Sequence, residues 1–277
     1  MAEIVGALGV PHTPFFPFFV ERDGPDCETA RYFAHLRAEL EALKPDVLLM
    51  FDTDHLNTFF FDNLPIFAIG VTDTFTGACD EVRATPSYTV KSHPALAAHV
   101  QQACVAAGFD PAVSQKFAVD HSVIVPLHFI TPQMQIPVIP FWISGHVPPL
   151  PSARRCYELG RIIRCAIENF PEKLRVVTIG SGSISLEVWG PRLRIGFGDG
   201  VPDPDWVTRV CGLMEKGDVE TLIRESTPEK FQAAGNVAGE LLNWIAMLGT
   251  IDAKPAKSVT PQMPNGHAYA VWRRPKD

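Results

Sequence analysis

The chain has 277 residues, of which 46% are hydrophobic and 20% are charged, and its formal net charge is −7. That length can bury a sizeable core, and the lack of a basic run argues against nucleic-acid or acidic-membrane partners. The six cysteines form no CxxC pair, which is typical of reduced thiols in the cytoplasm. Because the N-terminus shows no signal-peptide pattern and no apolar run approaches about 20 residues, we expect a cytoplasmic protein without a membrane span.

Apolar runs that alternate with amphipathic segments predict an α/β fold. We expect one domain over residues 1–277, with a central mostly parallel or mixed sheet flanked by helices. The predicted strands are 3–9, 47–51, 66–70, 136–143, 174–180 and 267–272. The predicted helices are 26–43, 94–107, 153–169, 206–216, 219–225 and 231–249. Segments 71–90 and 191–204 are predicted loops, and the two prolines in 136–143 predict an edge or bulged strand.

Two predicted strands are each followed by a histidine. His12 comes after the first strand, between Pro11 and Pro14, which keep the local backbone stiff and extended. His55 comes after the strand 47–51. Ligands and catalytic groups gather at the carboxyl ends of strands in open α/β sheets, so both histidines are candidates for a functional site.

One carboxylate, Glu240, lies among the apolar residues of the predicted helix 231–249, which Gly235 and Gly249 are expected to punctuate. A glutamate near an apolar face is costly unless a charge or a metal compensates it. The alternative is a solvated glutamate on the polar side of an amphipathic helix. Two histidines and one carboxylate form a facial set that leaves the other positions of an octahedral iron open.

His121 follows Asp120 directly and precedes an apolar segment, so we expect it where a loop meets a regular element. The strand 174–180 leads into small residues at 181–185, which allow close approach of the backbone to a ligand. That loop lacks the spacing of a phosphate-binding loop.

Six segments, in this order, resemble the class III extradiol ring-cleaving dioxygenases, the family of the protocatechuate 4,5-dioxygenase beta subunit: 9–14, 54–55, 120–127, 151–160, 180–185 and 239–244. The resemblance covers nearly the whole chain. It implies that His12, His55 and Glu240 bind Fe(II) and that His121 lies close to the oxygens of a small aromatic substrate, which reacts with O2.

The chain departs from that family at one position. The family's loop after the late strand normally runs Gly-x-Gly-x-x-Ser-His, and its histidine is taken as the acid/base. The matching position here is Leu186, which cannot transfer a proton. Three interpretations stay open. His121, His146 or His267 transfers the proton instead; the substrate is acidic enough, or carries its own ionisable group, to need less help; or the protein has lost ring cleavage while keeping the metal.

The leading hypothesis is an Fe(II)-dependent dioxygenase that opens a ring with adjacent hydroxyls, or an aminophenol or dihydroxypyridine ring. His121 is the predicted catalytic residue, and Thr13, Leu186 and His267 are the predicted substrate-binding residues. Two alternatives are a non-catalytic metal-binding protein of the same fold, of the mediator-of-motility type, and a metal-dependent hydrolase. A homodimer or a small helical partner subunit is compatible with the sequence.

Overall fold

The computed structural model describes residues 1–188 and 199–274. In those residues the strands are β1 (Glu3–Val10), β2 (Val47–Asp52), β3 (Phe67–Gly70), β4 (Thr74–Gly77), β5 (Tyr88–Lys91), β6 (Ala112–Ser114), β7 (Ala118–Val119), β8 (Val138–Ile143), β9 (Arg175–Ser181), β10 (Glu187–Val188), β11 (Asp199–Gly200), β12 (Ser258–Gln262) and β13 (His267–Arg273). The helices are α1 (Phe16–Asp23), α2 (Glu28–Leu43), α3 (Pro94–Ala106), α4 (His121–Ile130), α5 (Ala153–Asn169), α6 (Pro204–Lys216), α7 (Val219–Glu225), α8 (Pro228–Ala234) and α9 (Leu241–Thr250), with 3₁₀ turns at Ala238–Glu240 and Met263–Asn265.

A mixed eight-stranded sheet forms the centre of this α/β domain, in the order β12-β13-β1-β9-β2-β8-β3-β6. The four strands β1, β9, β2 and β8 run parallel to one another. Antiparallel pairs attach β13 on one side and β3 on the other. The predicted fold class is therefore confirmed.

Helices cover both faces of the sheet. The side chains of β2 show this, since they alternate between two apolar cores, one on each face. Leu49 and Phe51 pack in the core that contains residues of α3, α5, α6 and α9. Leu48 and Met50 pack in the core that contains residues of α1, α2 and α4. All six residues of β2 are buried, as expected for a parallel strand with both faces covered.

The predicted helix 231–249 is wrong in its continuity. Helix α8 ends at Ala234, Gly235 adopts φ +131°, and a 3₁₀ turn that ends at Glu240 precedes α9. Gly249 lies inside α9, where a Cβ would be only 2.2 Å from the backbone oxygen of Tyr157 in α5. Gly249 thus permits close packing of two helices and does not end one.

The prediction that strand 136–143 is an edge or bulged strand is also wrong, because β8 lies between β2 and β3 and keeps one unshifted register with β2. Pro140 is in register with Met50 of β2, and the antiparallel pairing with β3 starts only at Phe141. Pro140, which has no N–H to donate, therefore lies where β8 has no registered partner in β3.

Two predicted loops contain regular structure. Segment 71–90 contributes β4 and β5 to a three-stranded sheet with β7. Of the predicted loop 191–204, residues 191–198 lie outside the described residues, β11 pairs with β10, and α6 begins at Pro204. Helix α1 was not predicted from the sequence. In the described parts of the chain, no helix is both long and apolar enough to cross a membrane.

Candidate metal centre

The structure brings together the three residues predicted to bind metal. His12 follows β1, His55 follows β2, and Glu240 ends the turn before α9. Both histidines approach the same carboxylate oxygen: Nε2 of His12 lies 3.1 Å and Nε2 of His55 lies 3.4 Å from Oε1 of Glu240. They meet because β1 and β2 flank β9 as parallel neighbours, so that their carboxyl ends share one edge of the sheet.

Glu240 is buried and fixed at both oxygens. Its Oε2 accepts a hydrogen bond from the backbone N–H of Ser183 at 2.6 Å. Gly182 lies alongside with φ +151°, and a Cβ there would be 2.4 Å from the Cβ of Glu240. Burial by itself raises the pKa of Glu240, but the surrounding imidazoles, His12 first among them, outweigh burial and hold that pKa well below its usual range. The side chain is therefore a carboxylate, and the solvated-glutamate alternative does not apply.

The tautomer of His12 follows from its partner on β9. The hydroxyl of Ser181 donates its single hydrogen to the backbone oxygen of Ser122 at 2.9 Å. It therefore accepts from Nδ1 of His12, 2.8 Å away. Because burial lowers the pKa of His12, the ring is neutral, and its Nε2 directs a lone pair at the carboxylate of Glu240.

His55 is oriented in the same way by Asp120. Oδ2 of Asp120 accepts from Nδ1 of His55 at 3.1 Å and from its backbone N–H at 2.8 Å. Burial lowers the pKa of His55, but Asp120 and Glu240 outweigh burial and raise it to about 10. The space between His55 and Glu240 thus attracts a positive charge.

The donor set fits a divalent metal ion. A neutral imidazole lone pair and a carboxylate oxygen facing each other at about 3 Å are two acceptors with no hydrogen between them, as for His12 and Glu240. A cation between them satisfies both. The outer hydrogen bonds from Nδ1 to Ser181 and Asp120 are the kind that orient metal-binding histidines.

His146 is a third histidine that contacts Glu240. It lies on the loop after β8, and its Nε2 is 2.9 Å from Oε1 of Glu240. The ligand atoms of His55, His146 and Glu240 lie within 4.8 Å of one another, as do those of His12, His55 and His121. From the sequence, His146 was expected only as one of three histidines that could take over proton transfer, and nothing in the local sequence indicated its contact with Glu240.

His121 is the first residue of α4, so it lies at the start of a regular element as predicted, but the short strand β7 ends two residues before it where a loop was expected. The side chain of Asp120 caps this helix through the backbone N–H of Ser122. The ring centroid of His121 is 4.2 Å from that of His55 and 5.6 Å from that of His12. His121 lines a cavity of about 130 Å³ together with the three predicted metal ligands and Leu186.

A second cavity, of about 120 Å³, adjoins the first. Thr13 and Leu186 line both, and His267 and Asn265 line the second. His267 is 2% exposed, burial lowers its pKa to about 3, and its Nδ1 has no hydrogen-bond partner within residues 1–188 and 199–274. Thr13, Leu186 and His267, the three predicted substrate-binding residues, therefore all line the cavity that adjoins the candidate metal centre.

Four residues that hold the histidines and Glu240 had no role predicted from the sequence: Asp80, Asp120, Ser181 and Ser183. Asp120 had a detectable signal, since an aspartate before an apolar run is typical of a helix N-cap. Ser181 and Ser183 fall in the small-residue loop that was expected to approach a ligand. Asp80 gave no signal, because it lies 41 positions from His121 in the chain.

A model of the family described as the catalytic LigB subunit of aromatic ring-opening dioxygenase matches residues 6–272. The chain belongs to this family. The match confirms the resemblance that the six segments indicated.

Two proteins of similar sequence are named as dioxygenases. A 2,3-dihydroxyphenylpropionate/2,3-dihydroxicinnamic acid 1,2-dioxygenase of Burkholderia vietnamiensis is 28% identical over 281 residues, covering 87% of this chain and 86% of that protein. A gallate dioxygenase of Pseudomonas putida is 30% identical over 167 residues, which are 59% of this chain and 47% of that protein. The crystal structure of an uncharacterised protein from Escherichia coli K12 matches with a TM-score of 0.63 at 16% identity, covering 97% of this chain and 98% of that one. That match supports the fold alone.

Proposed function

We propose that this protein is an Fe(II)-dependent dioxygenase that uses O2 to open a small aromatic ring bearing adjacent hydroxyls, or a hydroxyl and an amine. The observation that carries the proposal is the convergence of His12 and His55 on Glu240 at 3.1 Å and 3.4 Å, at the wall of a cavity. Membership of the aromatic ring-opening family supports the same reaction class.

His12, His55 and Glu240 would hold the iron. Bound there, Fe(II) would supply open positions for the two substrate heteroatoms and for O2, and would pass charge between them. The chain fixes the ligands beforehand: Ser181 holds His12, Asp120 holds His55, and the backbone of Ser183 holds Glu240. Such outer contacts keep ligand rings from turning when substrate binds.

His121 is the histidine best placed for proton transfer to or from the substrate. It lines the same cavity as the three proposed ligands. His146 lines a separate small cavity with Leu56, Phe59 and Trp142. His267 lies in the adjoining cavity, and its pKa of about 3 keeps the ring neutral at ordinary pH. Geometry therefore favours His121 over the other two.

The adjoining region would receive the rest of the substrate. Leu186 makes the wall between the two cavities apolar, and Thr13 and His267 offer neutral hydrogen-bonding groups beyond it. Leu186 is proposed to occupy the position at which the family pattern has its acid/base histidine. The cytoplasmic location and the single catalytic domain over residues 1–277 remain predictions. Pairing with a second copy of this chain or with a small helical partner subunit also remains a prediction.

The decisive experiment measures oxygen uptake by anaerobically prepared, Fe(II)-loaded protein with catechols, 2-aminophenols and dihydroxypyridines. We expect uptake that matches substrate loss, abolished together with iron binding by Glu240→Ala. Glu215→Ala, an exposed residue of α6, is the matched control and should keep both.

Three outcomes would change the assignment. Stoichiometric iron without oxygen uptake on any substrate would favour a non-catalytic metal-binding protein. A chelator-sensitive hydrolysis without oxygen consumption would favour a metal-dependent hydrolase. Unchanged iron content in Glu240→Ala would remove the proposed ligand set itself.

A further inference from the structure

Two neighbouring histidines of the site each have a carboxylate of their own. His55 bonds to Asp120, and Nδ1 of His121 bonds to Oδ2 of Asp80. The backbone N–H of His121 also points to that Asp80 oxygen, at 3.4 Å. One carboxylate thus faces both the ring and the main chain of the histidine that we propose for proton transfer.

Asp120 orients the ring of His55 and does not also orient that of His121, because both of its oxygens already accept hydrogen bonds from other groups. Oδ2 accepts from His55 and from the side chain of Asn57 at 3.1 Å. Oδ1 accepts from the backbone N–H and the hydroxyl of Ser122. In the described portions of the chain, Asp80 is the carboxylate bonded to the ring of His121.

Asp80 lies on the connection between β4 and β5, outside the central sheet. This connection is held against the start of α4, since the backbone N–H of the adjacent Cys79 donates to the oxygen of Val119 at 2.9 Å. On the other side, the guanidinium of Arg83 lies 4.4 Å from the ring centroid of Phe18 in α1, and Val82 is buried. The carboxylate is therefore delivered by an anchored segment.

Resting on the proposed function, we propose that Asp80 is a positioning residue that holds His121 with Nδ1 protonated, so that Nε2 is the nitrogen available to the substrate. The hydrogen bond at one ring nitrogen of a histidine decides the proton state of the other. With Asp80 absent, the ring can turn, and it can carry its hydrogen on Nε2. A ring in that state cannot accept a proton from a substrate hydroxyl at Nε2.

The experiment compares Asp80→Ala and Asp80→Asn with Glu81→Gln, an exposed neighbour on the same connection. We expect both Asp80 variants to bind iron normally and to keep KM for the catechol, while kcat falls roughly 10- to 100-fold, part of the 10² to 10⁴ that acid–base help is worth. In a His121→Ala background, the Asp80 change should cause no further loss. Glu81→Gln should behave as the parent protein.

A second measurement does not depend on turnover. Long-range ¹H–¹⁵N spectra of the metal-free or zinc-loaded protein should show His121 with its hydrogen on Nδ1 in the parent, and a mixture of tautomers in Asp80→Ala. A parent ring protonated only on Nε2, or full kcat in both Asp80 variants, would overturn the inference. Loss of iron from Asp80→Ala with unchanged kcat per iron would also overturn it, because Asp80 would then serve the metal.

The two proposals fail in different ways. If the parent protein consumes no oxygen with any ring substrate, the proposed reaction is lost, yet the spectra still test the contact between Asp80 and His121. If the parent is active and the tautomer does not respond to Asp80→Ala, only the positioning role is lost.

Discussion

Asp120 joins two structural tasks: it accepts the Nδ1–H of His55 at 3.1 Å, and it caps α4 through the backbone N–H of Ser122 at 2.9 Å. Asparagine caps helices about as well as aspartate, so Asp120→Asn separates the tasks. We expect α4 to remain formed while metal affinity falls roughly 10- to 100-fold, as is usual when an outer partner of a metal ligand is lost. Competition with a coloured chelator measures the affinity.

Asp218→Asn is the matched control, since Asp218 caps α7 by accepting from the backbone N–H of Thr221 at 3.2 Å, on an exposed surface. It should leave metal affinity unchanged. Equal affinities in Asp120→Asn and the parent would show that His55 needs no orienting carboxylate, and would count against His55 as a ligand.

Leu186→His tests whether the missing histidine limits turnover. Leu186 is 7% exposed and lines both cavities, so an imidazole there would face the same space as His121. We expect kcat to rise without a change in iron content, because a second acid/base group becomes available. Steady-state oxygen uptake on the best substrate of the parent measures the effect.

Leu186→Gln is the control for polarity, since glutamine is polar and does not transfer protons at ordinary pH. If the glutamine variant gains as much as the histidine variant, the gain comes from polarity. If the histidine variant loses activity while the glutamine variant does not, the apolar wall is needed for this chain's own substrate, and Leu186 marks a distinct specificity.

His267→Phe tests the second cavity. The ring of His267 stacks edge-on with Phe16 at 5.5 Å between centroids, so phenylalanine keeps the aromatic packing and removes the nitrogens. We expect KM to rise for catechols with a polar substituent and to stay unchanged for unsubstituted catechol. Because the pKa of His267 is about 3, the change should not alter the pH dependence between pH 6 and 9. A uniform change in KM for both substrates would place His267 outside substrate recognition.

The ion pairs of Glu39, which lie far from the site, should make part of the free energy of unfolding depend on pH in the acid range. It accepts from Nζ of Lys257 at 2.6 Å and from Nε of Arg273 at 2.8 Å, which ties α2 to β13. Burial raises the pKa of Glu39, but these two cations outweigh burial and lower it. A lowered pKa in the folded state stabilises the protein above the ordinary glutamate pKa, and this contribution is lost as pH falls through the folded value.

Glu39→Gln should therefore reduce the free energy of unfolding at pH 7 by roughly 1 kcal/mol, a modest figure because both cations are partly exposed. The difference from the parent should shrink as the pH falls below about 4. Urea titrations at several pH values measure it. Glu41→Gln, in an exposed pair with Arg37, is the control, and a Glu39 effect that is independent of pH would contradict the ion-pair account.

Much of the site was predictable because strand ends are visible in sequence. Buried runs at 3–9 and 47–51 indicated parallel strands, and the carboxyl ends of such strands share an edge, so His12 and His55 could be placed together. The break before Glu240 could not be predicted. It depends on Gly235, where a Cβ would lie 1.9 Å from the backbone oxygen of Leu186, a contact that helical periodicity does not encode.

The supporting contacts were hidden for a related reason. Asp80 and His146 reach the site from loops, where no periodic pattern fixes the direction of a side chain. Likewise, prolines in β8 indicated an edge, while the interior position depends on where β3 stops pairing. Contacts between residues far apart in the chain, rather than local propensity, decided each of these features.

His12 and Glu240 are 228 positions apart in the chain, yet their side chains meet. An ion bound between them would act as a cross-link from the first strand to the last helix. An unfolded chain cannot hold those groups together, so binding would favour the folded form by mass action, by about 2.7 kcal/mol at a free metal concentration 100 times Kd. Metal supply would then set the heat resistance and the lifetime of the protein as well as its turnover, and a chelator would shorten both.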